Sequence, residues 1–215
     1  MLLSDIAEGG TKGAVRMVAA EERHRIGLEE WRDLALHSDV KYEYSDGWVY
    51  AMAGGTADHS TVALNLTHDV VDALGDGLCR VYNSDMAVRL APTEYRFPDA
   101  SVTCDARDSG SVTEIAFPRL LVEVLSDSTE REDRTTKARL YRGCPTVEEY
   151  AFITTRFRAV EVYRRAGDLW TVEVYLPGDM AVLSSIAVRI PVNDLYRRSA
   201  VPEGRRADTP PSAPL

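Results

Sequence analysis

Three stretches decide the fold: Pro98-Asp99-Ala100-Ser101-Val102-Thr103-Cys104, then Arg119-Leu120-Leu121-Val122-Glu123-Val124-Leu125-Ser126, then the segment that carries Lys137. Between positions 120 and 125 the one charged residue is Glu123, inside a short apolar run bounded by turn signals, the pattern of a strand buried on both faces. An isolated charge in a dry core costs several kcal/mol even after relaxation, so Glu123 must be protonated, paired or bound to a cation. Asp99 follows a proline, which cannot donate to a ladder, and opens the apolar segment 102–104. The two acids are therefore expected to meet at neighbouring strand ends. Two oxygen-ligand acids with a lysine nearby are the parts of a hard-cation site for phosphodiester hydrolysis.

The same residues resemble a known family. Pro98-Asp99, Val122-Glu123-Val124-Leu125-Ser126, Asp133-Arg134-Thr135-Thr136-Lys137 and the upstream Tyr42-Glu43-Tyr44-Ser45-Asp46-Gly47, with Glu149-Tyr150 beyond them, resemble the Uma-two family of restriction endonucleases, a branch of the PD-(D/E)XK nuclease superfamily. The resemblance spans roughly residues 25 to 195. It implies an α/β (α+β) fold, a restriction-endonuclease-like mixed sheet flanked by helices. It also implies Asp99 and Glu123 as catalytic residues and metal ligands, helped by the Val124 carbonyl. In the superfamily signature a lysine stands two residues after the second acid, where this chain has Leu125. Strand alternation puts Leu125 on the face of Glu123, so an apolar side chain fills the lysine slot. The resemblance implies that Lys137, on the following helix, supplies the missing catalytic amine. Read from spacing alone, Lys137 is equally an exposed i,i+4 partner of Asp133.

The chain of 215 residues, 45% hydrophobic and 27% charged, has the composition of one globular domain. Asp5 and Glu8 interrupt the apolar start, so no secretory signal is expected. No apolar run approaches the roughly 20 residues of a membrane span, and a cytoplasmic protein without a membrane partner is expected. Cys79, Cys104 and Cys144 are odd in number and far apart, which reads as three reduced, mostly buried thiols. The net charge of −9 argues against coating duplex DNA by charge alone. Residues 131–170 run against it, with nine Arg or Lys against six Asp or Glu. A basic surface beside an acidic metal site suits an enzyme that cuts phosphodiesters, and a solvated helix face explains it equally well.

Along the chain, residues 1–22 read as a flexible N-terminal segment, 23–198 as the domain and 199–215, rich in proline, as a disordered tail. A short helix is expected from Leu28, covering an edge of the sheet. Asp46-Gly47 signals a hairpin between strands around 41–44 and 48–52. Glu43 lies on the first of these strands; the resemblance puts it near the metal, and a cross-strand ion pair is the structural alternative. Helical periodicity from 60 to 74 predicts the main helix packed on the sheet. His59 stands at its start, either near the active face, as the resemblance implies, or as a cap. Asp85 sits in a turn between strands at 78–82 and 86–90; it either supports the site, as the resemblance implies, or makes the turn. The loop 105–113 carries no core signal. Thr129 and Glu132 have capping-box spacing, and strands follow at 149–154, 159–164, 169–175 and 186–190.

The leading reading is a metal-dependent endonuclease that hydrolyses phosphodiester bonds, DNA foremost, with magnesium, or manganese in its place, and a homodimer as the assembly. The alternative is a catalytically inactive nuclease-fold protein that binds nucleic acid or a protein partner, supported by the acidic charge and by Leu125. A third reading is a hydrolase acting on RNA or a small phosphorylated substrate.

Overall fold

The computed structural model describes residues 25–52 and 54–204. The segment read as flexible, residues 1–22, and positions 205–215 of the expected tail lie outside the described residues. Ser199 to Gly204 are part of the packed structure: Val201 is buried in the main core, and the Pro202 carbonyl accepts the Arg158 N–H.

β1 (Tyr42–Ser45) and β2 (Trp48–Ala51) form the expected hairpin. The loop between them is two residues long and both lie at positive φ, Asp46 at 45° and Gly47 at 88°, which is why Asp-Gly is used there. With β4 (Ala87–Ala91), β5 (Glu94–Arg96) and β7 (Glu114–Ile115), the hairpin makes a five-stranded sheet in the order β2-β1-β5-β4-β7. α1 (Leu28–His37) packs on a face of this sheet rather than along an edge: Trp31 sets its ring 5.5 Å from Tyr44 and 4.6 Å from Tyr95, on neighbouring strands.

The larger sheet has six strands in the order β11-β10-β9-β8-β6-β3: β3 (Arg80–Asn83), β6 (Ala100–Thr103), β8 (Pro118–Leu125), β9 (Glu149–Thr154), β10 (Ala159–Ala166) and β11 (Leu169–Tyr175). β8 and β9 run parallel and the other pairs antiparallel, a mixed sheet as expected. β8 is buried on both faces, which explains its nearly unbroken apolar sequence. Leu120, Val122 and Val124 face the core under α2 (Ala57–Leu74), where Val62, Leu66 and Val70 meet them. Leu121 and Leu125 face the opposite core with Tyr141, Tyr150 and Phe152. That second face is covered by α3, which consists of Glu130–Glu132, a π-helical turn at Asp133–Lys137 and Ala138–Gly143. A final hairpin, β12 (Met180–Leu183) with β13 (Val188–Pro191), closes the α2 side. Only its second strand was anticipated; Ser184–Ile186 is a 3-10 turn, and Ala187 leaves it at φ 54°.

Three local expectations fail for physical reasons. Cys79 and Cys104 are joined by a disulfide, because each lies one residue past the paired Arg80 and Thr103 of β3 and β6; only Cys144 is a free, buried thiol. Their separation in sequence hides a contact that strand pairing creates. The capping box does not form: the Thr129 hydroxyl bonds Ser126 at 3.0 Å instead of a helix N–H. The loop 105–113 is anchored rather than merely solvated. Buried Asp108 accepts the N–H groups of Ala116 and Phe117, both at 2.8 Å, and the Thr103 hydroxyl at 3.0 Å.

α2 carries a sharp contrast between its faces, since Leu66 is buried in the core while Leu64 is 70% exposed. Leu66→Ala will lower unfolding free energy by about 2–5 kcal/mol, whereas Leu64→Ala will stay within about 0.5 kcal/mol. Urea denaturation of both variants checks this, and equal losses would contradict the packing.

Candidate active site

Asp99 precedes β6, and Ala100 pairs with Val122 across the antiparallel β6–β8 ladder, so one step further Asp99 stands opposite Glu123. Opposite residues on an antiparallel pair share a face. The Asp99 carboxylate is fixed there by the Val124 N–H, which donates to Oδ2 at 2.7 Å. The two acids thus meet at neighbouring strand ends. Val124 reaches the site through its backbone, its side chain being core.

Facing them, α3 presents Asp133, Lys137 and Tyr141, spaced four apart along one side of the helix. Lys137 Nζ lies 3.0 Å from Glu123 Oε1, 3.0 Å from Asp133 Oδ1 and 3.7 Å from Glu43 Oε1. The lysine is 7% exposed and Glu123 3%, so the pairing of Lys137 with Asp133 is a buried interaction and not the solvated surface pair that spacing allows. The Tyr141 hydroxyl donates to the same Glu123 Oε1 in a short hydrogen bond. Glu43 comes from β1 and is also flanked by Arg96, whose Nε lies 3.5 Å from its Oε2. The π-turn that holds Asp133 and Lys137 falls where the helix meets these carboxylates, a common place for such turns.

His59, in the first turn of α2, extends the site on the other side of Asp99, with Nε2 3.2 Å from Asp99 Oδ2. A side chain at position 55 would put a Cβ 2.7 Å from His59 Nδ1, so Gly55 makes room for the imidazole. Asp99, His59, Gly55, Lys41, Met52 and Asn83 line an open cleft of about 600 Å³. Asp85 does not join the acids. It is exposed, bonds Asn83 across its own turn and Lys41 from the segment ahead of β1, and is held below the usual carboxylate range by the hydrogen bond from Lys41.

Burial dominates the electrostatics. It pushes the Glu123 carboxyl up to about 8, with the Asp99 and Asp133 charges acting in the same direction against the pull of Lys137. Glu43 is raised too, by burial that outweighs Lys137 and Arg96. Burial works to lower Lys137, but the charges of Glu123, Glu43 and Asp133 prevail and hold it firmly as an ammonium. Of the coupled pair, Glu123 is therefore the group that takes up a proton. The hydrogen bond to Asp99 raises His59 and favours its imidazolium form. Burial and the Glu123 charge keep the Tyr141 phenol protonated.

This charge pattern fits a divalent cation. Burial and the neighbouring Asp99 and Asp133 charges raise Glu123 against the pull of Lys137, and buried Asp133 Oδ1, though 3.0 Å from Nζ, has no hydrogen-bond partner of proper geometry. Among the described residues, no three His, Cys, Asp or Glu side chains form a ready cage. Magnesium does not require one, since it keeps several waters and uses one or two carboxylates. Asp133, Tyr141 and Arg96 were not assigned roles from sequence. The spacing of Asp133, Lys137 and Tyr141 was the available signal, and nothing local marks Arg96.

The profile of the Uma2 family, described as "Putative restriction endonuclease", matches residues 28–193. The uncharacterized protein slr1290 of Synechocystis sp. is 36% identical over 175 residues, 80% of this chain and 92% of that protein. A second uncharacterized Synechocystis protein, sll1609, is 29% identical over 153 residues, 70% of this chain and 86% of its own length. Among solved structures, that of a putative nuclease from Anabaena variabilis superposes with a TM-score of 0.64 at 19% identity, covering 80% of this chain and 97% of that one, which establishes the shared fold.

A carboxyl raised from 4.5 to about 8 contributes stability that is full below the unfolded value and is lost as pH climbs toward the folded one. The metal-free protein will therefore lose stability as the medium passes from acid to about pH 8, with Glu43 acting in the same sense. Glu123→Gln will flatten this loss and will melt higher than wild type at the alkaline end. Thermal melts in EDTA across that range test it; parallel curves for the two proteins would show that Glu123 is not the group responsible.

Proposed function

Since the chain belongs to the Uma2 family, whose description is "Putative restriction endonuclease", we propose that it is a metal-dependent endonuclease that hydrolyses phosphodiester bonds in DNA. The observation that carries this reading is the buried Lys137 ammonium, 3.0 Å from Glu123 and from Asp133, behind an Asp99 that itself lines the cleft. Asp99, Glu123 and the Val124 carbonyl would hold magnesium, with manganese able to replace it. When bound, the cation supplies positive charge against the phosphate and lowers the pKa of coordinated water.

The protein's own groups divide the remaining work. The Val124 N–H fixes the direction of the Asp99 carboxylate. Tyr141 and Lys137 both engage Oε1 of Glu123, which orients that carboxylate from behind. Lys137 is raised in pKa, so it acts as a permanent cationic donor and not as a base: it stabilises the charge that builds on the phosphate oxygens and helps to hold the attacking water. Asp133 and Glu43 keep it in place and charged. His59, held toward imidazolium by Asp99, puts a second cationic donor at the cleft wall. The helix therefore does what the signature lysine two residues past Glu123 would do from the strand, and Leu125 is free to pack in the core. A cut through both strands of a duplex calls for two such sites and so a homodimer; a cut in one strand needs a single protomer.

Asp99→Asn and Glu123→Gln will each abolish manganese binding in a calorimetric titration while the fold persists. Lys137→Ala will leave manganese binding largely intact and slow cleavage by about 100-fold or more, the size of effect seen when a transition-state donor is removed. Unchanged metal affinity in the acid variants would overturn the ligand assignment, and full activity in Lys137→Ala would overturn the role of the helix lysine.

A further inference from the structure

The β1–β2 hairpin carries one more side chain on the face of Glu43, beside the lining of the cleft. Tyr50 is paired directly with Glu43, and Met52 donates its N–H to the Lys41 carbonyl one pair further on in phase. Paired residues share a face and alternate residues repeat it, so Lys41, Glu43, Tyr50 and Met52 occupy the same side of the hairpin. Lys41 and Met52 line the cleft with Asp99 and His59, and Glu43 reaches Lys137. Tyr50 is 49% exposed, the one aromatic residue counted as exposed among the described residues, and it has no hydrogen bond, ion pair or ring contact there. The other rings of this hairpin have partners: Tyr42 and Tyr44 pack with Trp31 in the core beneath α1, and the Arg25 guanidinium lies over Trp48, 5.5 Å from its ring centroid.

The charges of the cleft point the same way. Among the described residues Lys41 is the single Lys or Arg in its lining and is already engaged by Asp85, while Asp39 and Asp99 add negative charge. Affinity for duplex DNA comes largely from neutralising many phosphates, which this cleft and a chain of net charge −9 are poorly equipped to do. Single-strand binders add to their backbone contacts the stacking of unpaired bases on aromatic rings, a source of affinity that a closed duplex does not offer. A cleft of about 600 Å³ is in the range that encloses a small ligand, not a double helix.

We infer that Tyr50 is a stacking platform for an unpaired base beside the scissile phosphate, so that the substrate is single-stranded or locally unpaired DNA. This rests on the endonuclease reading above and narrows it. The ring at position 50 contributes binding on the cleft side of Glu43 and takes no part in holding metal.

The test is fluorescence anisotropy with calcium in place of magnesium, using a fluorescein-labelled single strand of about 12 nucleotides, the same sequence as a duplex, and as RNA. Wild type is expected to bind the DNA single strand more tightly than the duplex or the RNA. Tyr50→Ala should weaken single-strand binding by about 5- to 100-fold, Tyr50→Trp should retain it, and duplex binding should not change. A preference for duplex or RNA, or single-strand binding unaffected by Tyr50→Ala, overturns the inference. If Tyr50→Ala also cuts DNA at the wild-type rate with magnesium, the inference falls and the endonuclease reading stands. Absence of both binding and cleavage of any nucleic acid overturns the two together.

Discussion

A carboxylate in the middle of a strand buried on both faces is a constraint the fold must answer. Glu123 has core on either side of its strand and one route to compensation, the α3 face that carries Asp133, Lys137 and Tyr141. Everything that positions that face serves the constraint. Tyr141 and Ala138 pack α3 into the second core, the π-turn brings Asp133 and Lys137 onto the carboxylates, and the five-stranded sheet brings Glu43 from β1 to the same ammonium. Removing the lysine would leave uncompensated buried charge, a larger cost than the loss of a surface pair.

The same arrangement gives the site its chemistry. Burial first, and the Asp99 and Asp133 charges after it, disfavour the ionised form of Glu123 despite Lys137, and on the proposed reading a hard cation would offset this. Asp99 lies where the buried cluster meets the open cleft, tied to the strand by Val124 and to α2 by His59. Asp99 and His59 line the cleft, and Glu123 and Lys137 lie buried behind them, so on the proposed reading a substrate phosphate would meet Asp99 and His59 first. The excess of acids over bases in the whole chain is consistent with a site that relies on a cation and on stacking instead of a broad basic surface.

Much of this could be read before the structure. The lone acid in an apolar run located Glu123, proline followed by aspartate located Asp99, and Asp46-Gly47 located the hairpin, because each signal is local. Periodicity placed α2 and its buried stripe of Val62, Leu66 and Val70, while Leu64, two residues before Leu66 and so turned away from that stripe, faces solvent. Features that depend on pairing between distant strands were invisible: the Cys79–Cys104 disulfide, the split into two sheets, and the contact of Arg96 with Glu43. Asp85 makes its turn with Asn83, as its local sequence signals, and also pairs with Lys41 of the cleft, a contact between distant segments that no local signal marks.

The most direct measurement is cleavage of plasmid, linear duplex and single-stranded DNA, and of RNA, with magnesium or manganese, comparing wild type with Glu123→Ala. The account predicts metal-dependent cleavage of DNA by wild type and none by the variant. Cleavage that survives Glu123→Ala, or well-folded, metal-bound wild type that cuts no member of the panel, would contradict it.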